Sequence, residues 1–158
     1  MKPASSVRLL SCLIGVNLAL IWGNSLTVGE TSAAFSGGLL EWIGTVFPAL
    51  VSEAGHTFLR KAAHFCEFGL LGVLTSARAI ASGKTLRPGL TGWGVAAACV
   101  DETIQLFVPG RCGSVIDVCI DAAGFSAGML LTVFGYSLAQ TLSKHKQQNV
   151  SQKGEIQQ

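Results

Sequence analysis

The chain has 158 residues, 49% of them hydrophobic and only 13% charged, with a mean hydropathy of +0.50 and a net charge of +2. Ordinary soluble domains carry about 25% charged residues, so this composition argues against one and for an integral membrane protein of a single domain. The basic residues form no stripe, which argues against a nucleic-acid partner and leaves membrane lipids as the expected surroundings.

In chain order, Met1 to Trp22 starts with Lys2 and Arg8 and continues as LLSCLIGVNLALIW. A basic start and an apolar middle resemble a signal peptide, but the Gly-Asn-Ser-Leu that follows offers no clear small-x-small cleavage site. The stretch is read as a first transmembrane helix, short of the usual ~20 residues unless its flanks join it. Asn24 to Gly38 is small and polar and reads as a loop. Leu39 to Val51 is apolar, but it holds Glu41 and Pro48 and is too short to span. An interfacial or re-entrant helix in the outer loop, with Trp42 at headgroup level, fits it.

Phe58 to Ala81 predicts a second long helix, polar at its start with Arg60, Lys61, His64 and Glu67, then apolar up to Arg78. Gly89 to Val108 predicts a third, apolar until Asp101 and stopped by Pro109-Gly110. The fourth runs from about Ser114 to Ala139, and its Gly124 and Gly128 form a small-xxx-small pair suited to close helix contact. After residue 140 the chain turns polar and Gln-rich, giving a membrane domain over 1–140 and an expected disordered tail over 141–158. The expected fold is all-α, an integral membrane bundle of about four transmembrane helices. Four of the five cysteines, Cys12, Cys66, Cys99 and Cys119, lie in apolar or helical runs and read as small buried hydrophobes. No CxxC pair occurs, so neither a disulfide framework nor a thiolate zinc site is expected.

With four crossings, Lys2, Arg8, Arg78, Lys84, Arg87, Lys144, Lys146 and Lys153 fall on one side and Arg60, Lys61 and Arg111 on the other. The positive-inside rule then puts both termini in the cytoplasm of a plasma membrane. The polar clusters lie at the start of helix two, the end of helix three and the start of helix four. Alternating direction brings all three to one depth, near the outer surface.

Ionisable residues at such depth are costly and call for partners or a task. Lys61, His64 and Glu67 follow i, i+3, i+6, so His64 neighbours both of the others. Gln105 is one turn from Asp101 and Glu102, and these two, about 100° apart, need not both face inward. Asp117 and Asp121 share a face, and Arg111 sits in the PGRCGS turn. Three arrangements stay open. The charges can form a salt-bridge network that holds the bundle together. The carboxylates and His64 can ligate a divalent cation. Or Arg60, Lys61 and Arg111 can hold a phosphate or carboxylate of a ligand, with His64 or a carboxylate as general acid or base.

The two segments RKAAHFCEFGLLG and DETIQLFVPGRCGSVIDVCIDAAG, in this order and at this separation, resemble the VanZ-like family of small bacterial membrane proteins. The family pattern falls on Lys61, His64, Glu67, Asp101, Glu102, Gln105, Arg111, Asp117, Asp121 and Gly124; Phe68 stands where many members have Tyr, and Cys112 where a small hydroxyl residue is common. The resemblance implies a cell-envelope context: the family's named member is associated with low-level resistance to teicoplanin, a lipoglycopeptide that binds wall precursors outside the membrane. The expectation is an outward-facing site that binds or modifies an envelope lipid or wall precursor, or the lipoglycopeptide itself. In it Lys61, Gln105, Arg111, Asp117 and Asp121 bind ligand, and His64, Glu67, Asp101 and Glu102 are the candidates for acid–base chemistry. The alternatives are a membrane-embedded hydrolase or transferase, with or without a metal, and a small transporter. The last is less suited to four helices without an obvious inverted repeat.

Overall fold

A computed structural model describes residues 3–27, 45, 52–84 and 88–155. Among these residues the chain is all-helical and contains no strand, with four helices: α1 (Pro3–Ser25), α2 (Glu53–Ala81), α3 (Pro88–Leu106) and α4 (Val115–Glu155). The expected interfacial helix at Leu39 to Val51 lies outside the described residues.

Local chemistry sets the helix ends. The Ser52 hydroxyl accepts the Gly55 N–H at 3.1 Å and caps α2, with Glu53 in its first turn. At the other end Gly83 takes φ +69°, and the amides of Gly83 and Lys84 bond back to Ile80 and Ala79. That is a Schellman stop, and it needs a residue without a Cβ at Gly83. In the turn after α3 Pro109 precedes Gly110 at φ +77°, and the Arg111 amide bonds to the Val108 carbonyl at 3.1 Å, the pattern of a type II turn. Ser114 caps α4 by accepting the Ile116 N–H at 3.2 Å.

Several boundaries differ from the sequence expectation: α2 begins at Glu53 and not Phe58, α3 ends at Leu106 and not Val108, and α1 and α4 both run further than expected. Helix α1 continues past Trp22 to Ser25, which makes it 23 residues long and, at about 1.5 Å per residue, long enough to cross the hydrocarbon. Helix α4 does not stop near Ala139 but runs unbroken to Glu155, where a disordered tail was expected. Polar composition argued for disorder, but Gln and Lys are good helix formers and no glycine interrupts residues 136 to 153. Two helices, α1 and α4, are long and apolar enough to cross a membrane.

The largest interface joins α2 to α4, and glycine makes it. A Cβ at Gly72 would overlap the Phe125 carbonyl, one at Gly124 the Phe65 carbonyl, and one at Gly128 the Gly69 carbonyl. The Gly124–Gly128 pair therefore sets close packing, as its spacing suggested. Gly69 and Gly72 of α2, which sequence reasoning passed over, supply the facing surface. Around this contact a small core gathers Ile21, Phe68, Leu71, Ala97, Ala98 and Phe125, with residues from all four helices. The outside is apolar instead: Val16, Leu20, Leu130, Leu131 and Phe134 are all exposed. Asp101, Glu102, Gln105 and Asp121 are buried. This arrangement inverts a soluble protein and fits a bundle solvated by lipid.

The cysteine expectation is corrected here. All five cysteines are free and all five are exposed. An apolar run does not reveal which of its faces looks inward, and in this bundle much of the apolar surface looks out.

Candidate functional site

Four helices contribute to one polar cluster. Helix α1 ends in it with Asn24 and Ser25, and α2 supplies Lys61, His64 and Glu67 from successive turns of one face. Helix α3 supplies Asp101, Glu102 and Gln105, and α4 supplies Asp117 and Asp121. The glycine contact draws the α2 and α4 walls together.

Toward the exposed rim, Lys61 Nζ donates to Asp117 Oδ1 at 2.5 Å, both side chains partly accessible. Arg111 does not meet an acid. Its Nε donates to the Thr27 carbonyl and its terminal nitrogen to the Asn24 carbonyl, both at 3.0 Å. It thus caps the C-terminal end of α1, where a helix exposes acceptors and partial negative charge. Burial pulls this guanidinium below its ordinary value, yet an arginine starts high enough to remain cationic.

One layer in, Glu102 accepts the Ser114 N–H at 2.7 Å on one oxygen and the Gln105 amide at 3.2 Å on the other. Asp101 is also satisfied: Ser25 Oγ donates to Oδ1 at 2.7 Å and Gln105 Nε2 to Oδ2 at 3.1 Å. Asp101 and Glu102 thus both face inward, a question their 100° separation had left open. Helix α3 ends against α1 on one side and against the start of α4 on the other, so two adjacent residues each find an interior.

The innermost group is different. His64 Nδ1 lies 3.6 Å from Asp101 Oδ2 and 3.7 Å from Asp121 Oδ1, distances too long for hydrogen bonds. Asp121 is fully buried, and neither of its oxygens has a hydrogen-bond partner. His64 Nδ1 and Glu67 Oε2 are likewise buried and unpartnered, while Glu67 Oε1 accepts the Asn24 amide at 3.3 Å. In a closed structural network such groups would be bonded, since each unpaired buried acceptor costs about 1–3 kcal/mol and an unpaired charge more. The network reading accounts for Glu102, Gln105, Lys61–Asp117 and Arg111. It does not account for His64 and Asp121.

All nine candidate residues thus lie in or beside one cluster. What sequence reasoning missed is the contribution of α1. Asn24 and Ser25 were assigned to a loop, yet Ser25 is buried against Asp101. A signal existed: Asn17 and Asn24, seven residues apart on an otherwise apolar helix, mark a face that looks into a polar interior, and Asn17 is buried. A separate concavity of about 950 Å³ adjoins the C-terminal end of α2, lined by Ser11, Thr75, Arg78, Lys84, Leu90 and Trp93; there Arg78 Nε donates to Ser11 Oγ at 2.7 Å.

Comparison with curated proteins and with solved structures returns no match. A family model described as VanZ/LLP1 matches residues 10–138, a stretch that contains every residue of the cluster. With most of its length matched, the chain belongs to the VanZ/LLP1 family.

Proposed function

We propose that this is a multi-pass protein of the bacterial plasma membrane with four crossings and both termini in the cytoplasm. Its polar cluster opens toward the outer leaflet, where it engages the headgroup of an envelope lipid or wall precursor and so lowers susceptibility to teicoplanin-type glycopeptides. Membership of the VanZ/LLP1 family and the two apolar helices support the membrane setting. The excess of Lys and Arg on the side of the termini supports the orientation. Helices α2 and α3 are less apolar because they carry the cluster: Asp101 and Glu102 of α3 are buried, and His64 and Glu67 of α2 are half-buried against them, while Arg60 is exposed at the polar start of α2.

The observation that carries a ligand-directed role is Asp121, a fully buried carboxylate with both oxygens unpartnered beside His64. A membrane bundle does not keep such a group for stability. Of the cations expected to hold an anionic ligand, Lys61 is engaged by Asp117 and Arg111 by two carbonyls. A headgroup phosphate must therefore compete with Asp117 for Lys61. The acid–base candidates His64 and Glu67 keep unpartnered atoms, which favours modification of a headgroup over passive binding.

The test is a cell assay with a chemical readout. Expression of the wild-type chain is expected to raise the teicoplanin concentration that stops growth and to change the envelope lipid or precursor profile by mass spectrometry. Asp121→Asn, inserted at the same level, is expected to do neither. Wild-type cells with unaltered susceptibility and lipids would overturn the proposal.

A further inference from the structure

We propose that His64, Asp101 and Asp121 form the site of one divalent transition-metal ion, with Zn²⁺ the best match to the donors. The inference rests on the ligand-directed role of this cluster, and names what occupies it first. Each residue comes from a different helix and presents one ligating atom, and the three atoms lie within 4.8 Å of one another.

Three features point to a cation rather than a proton or a buried ion pair. The first is spacing. Around a tetrahedral ion with bonds of about 2.0–2.2 Å, neighbouring ligand atoms stand roughly 3.3–3.6 Å apart. His64 Nδ1 stands 3.6 Å and 3.7 Å from the two carboxylates, too far for hydrogen bonds and close to this edge length. The second is lack of partners: His64 Nδ1 and both Asp121 oxygens are buried and unbonded, and Nδ1 and Asp121 Oδ1 stand 3.7 Å apart with nothing bonded to either. The third is charge. A neutral imidazole and two carboxylates carry two negative charges, which one divalent ion cancels. Without the ion, neutrality takes two protons distributed over the same three groups.

The surroundings have the form of a second ligand sphere. Asp101 is held by Ser25 Oγ on one oxygen and Gln105 Nε2 on the other, which fixes the plane of its carboxylate as outer partners of metal ligands do. Of the other acids in the cluster, Asp117 and Glu102 are already bonded to Lys61 and to Ser114 and Gln105, and Glu67 accepts Asn24 on Oε1 and keeps Oε2 unpartnered. Three protein ligands leave a fourth position for water or the oxygen of an anionic headgroup, as in metal sites that act on substrates. One imidazole with two carboxylates suits zinc and its first-row neighbours better than an all-oxygen calcium site.

The experiment uses the full chain in detergent or lipid nanodiscs, stripped with a chelator, dialysed, and titrated with Zn²⁺ alone by calorimetry and with Co²⁺ by visible absorption. One ion per chain is expected, with the Co²⁺ bands of a nitrogen- and oxygen-ligated four-coordinate site. Asp121→Asn and His64→Ala are expected to weaken Zn²⁺ binding beyond the roughly 100-fold that second-sphere losses reach, and Ser25→Ala by about 10–100-fold. Glu53→Gln, an exposed acid at the start of α2, should leave binding unchanged. Helicity and elution profile establish folding, and if Asp121→Asn does not fold, the wild-type stoichiometry and Ser25→Ala decide. No Zn²⁺ or Co²⁺ binding by the wild type, or equal binding by His64→Ala, overturns the metal. The envelope reading stands or falls separately, on susceptibility and lipid profile.

Discussion

At the scale of single residues, the cluster divides into groups that are satisfied and groups that are not, and the two should respond oppositely to substitution. Asp121→Asn removes an unpaired buried carboxylate. In chelator-treated protein it should raise stability by about 1–3 kcal/mol, read as a higher thermal midpoint, while removing the cellular effect. A lower midpoint would mean that Asp121 is held by the protein itself. Lys61 and Asp117 are paired but partly accessible. A double-mutant cycle with Lys61→Ala and Asp117→Ala should give a coupling of about 1 kcal/mol or less, weakening with added salt. Residue types and spacings made most of these positions legible in the sequence: Lys61, His64 and Glu67 on one face, and Asp117 and Asp121 on another. The sequence left open which partner each one takes. Lys61 goes to Asp117, and Arg111 to two carbonyls of α1, because partner choice depends on where the neighbouring helices stand.

At the scale of elements, the glycines decide how closely α2 and α4 approach, and hence whether His64 and Asp121 can share a ligand. Gly128→Ala drives a Cβ into the Gly69 carbonyl, a backbone atom that cannot swing away. It should cost about 1–3 kcal/mol of stability and weaken the proposed effect on susceptibility with it, because the two walls separate. Gly135→Ala, further along the same helix with open space around it, should be neutral or stabilising by up to about 1 kcal/mol. Equal effects at the two positions, measured by thermal unfolding in one detergent, would refute the close-packing argument. The GFSAG spacing signalled this contact from the α4 side. Its counterpart on α2, Gly69 and Gly72 within FGLLG, carried the same signal but competed with the stronger pattern of charges just before it. The end of α1 was misjudged because Gly23, Asn24 and Ser25 look like a helix terminus in isolation. The helix instead continues where Asn24 and Ser25 find acidic partners in Glu67 and Asp101.

At the scale of the whole molecule, polar residues inside and apolar residues outside identify lipid as the solvent. The proposed topology has a direct check. In a Cys-less background, single cysteines at Ser114 and Lys144 should label from opposite sides of sealed cells, Ser114 from outside. Labelling of both from one side would contradict four crossings. By itself the sequence determined the membrane setting, the helical class, the family and the residue types of the polar cluster. Composition, hydrophobic run length and motif order are local properties, and helices in lipid satisfy their own backbones, so local pattern specifies them well. Only the tertiary structure decided that α1 joins the site, that Asp101 and Glu102 both turn inward, and that His64 stands between Asp101 and Asp121. It also separated the satisfied carboxylates from Asp121, with neither oxygen bonded, and Glu67, with one. These outcomes depend on interhelical distances fixed by the glycine contact and by the type II turn at Pro109-Gly110, which no single helix's sequence encodes.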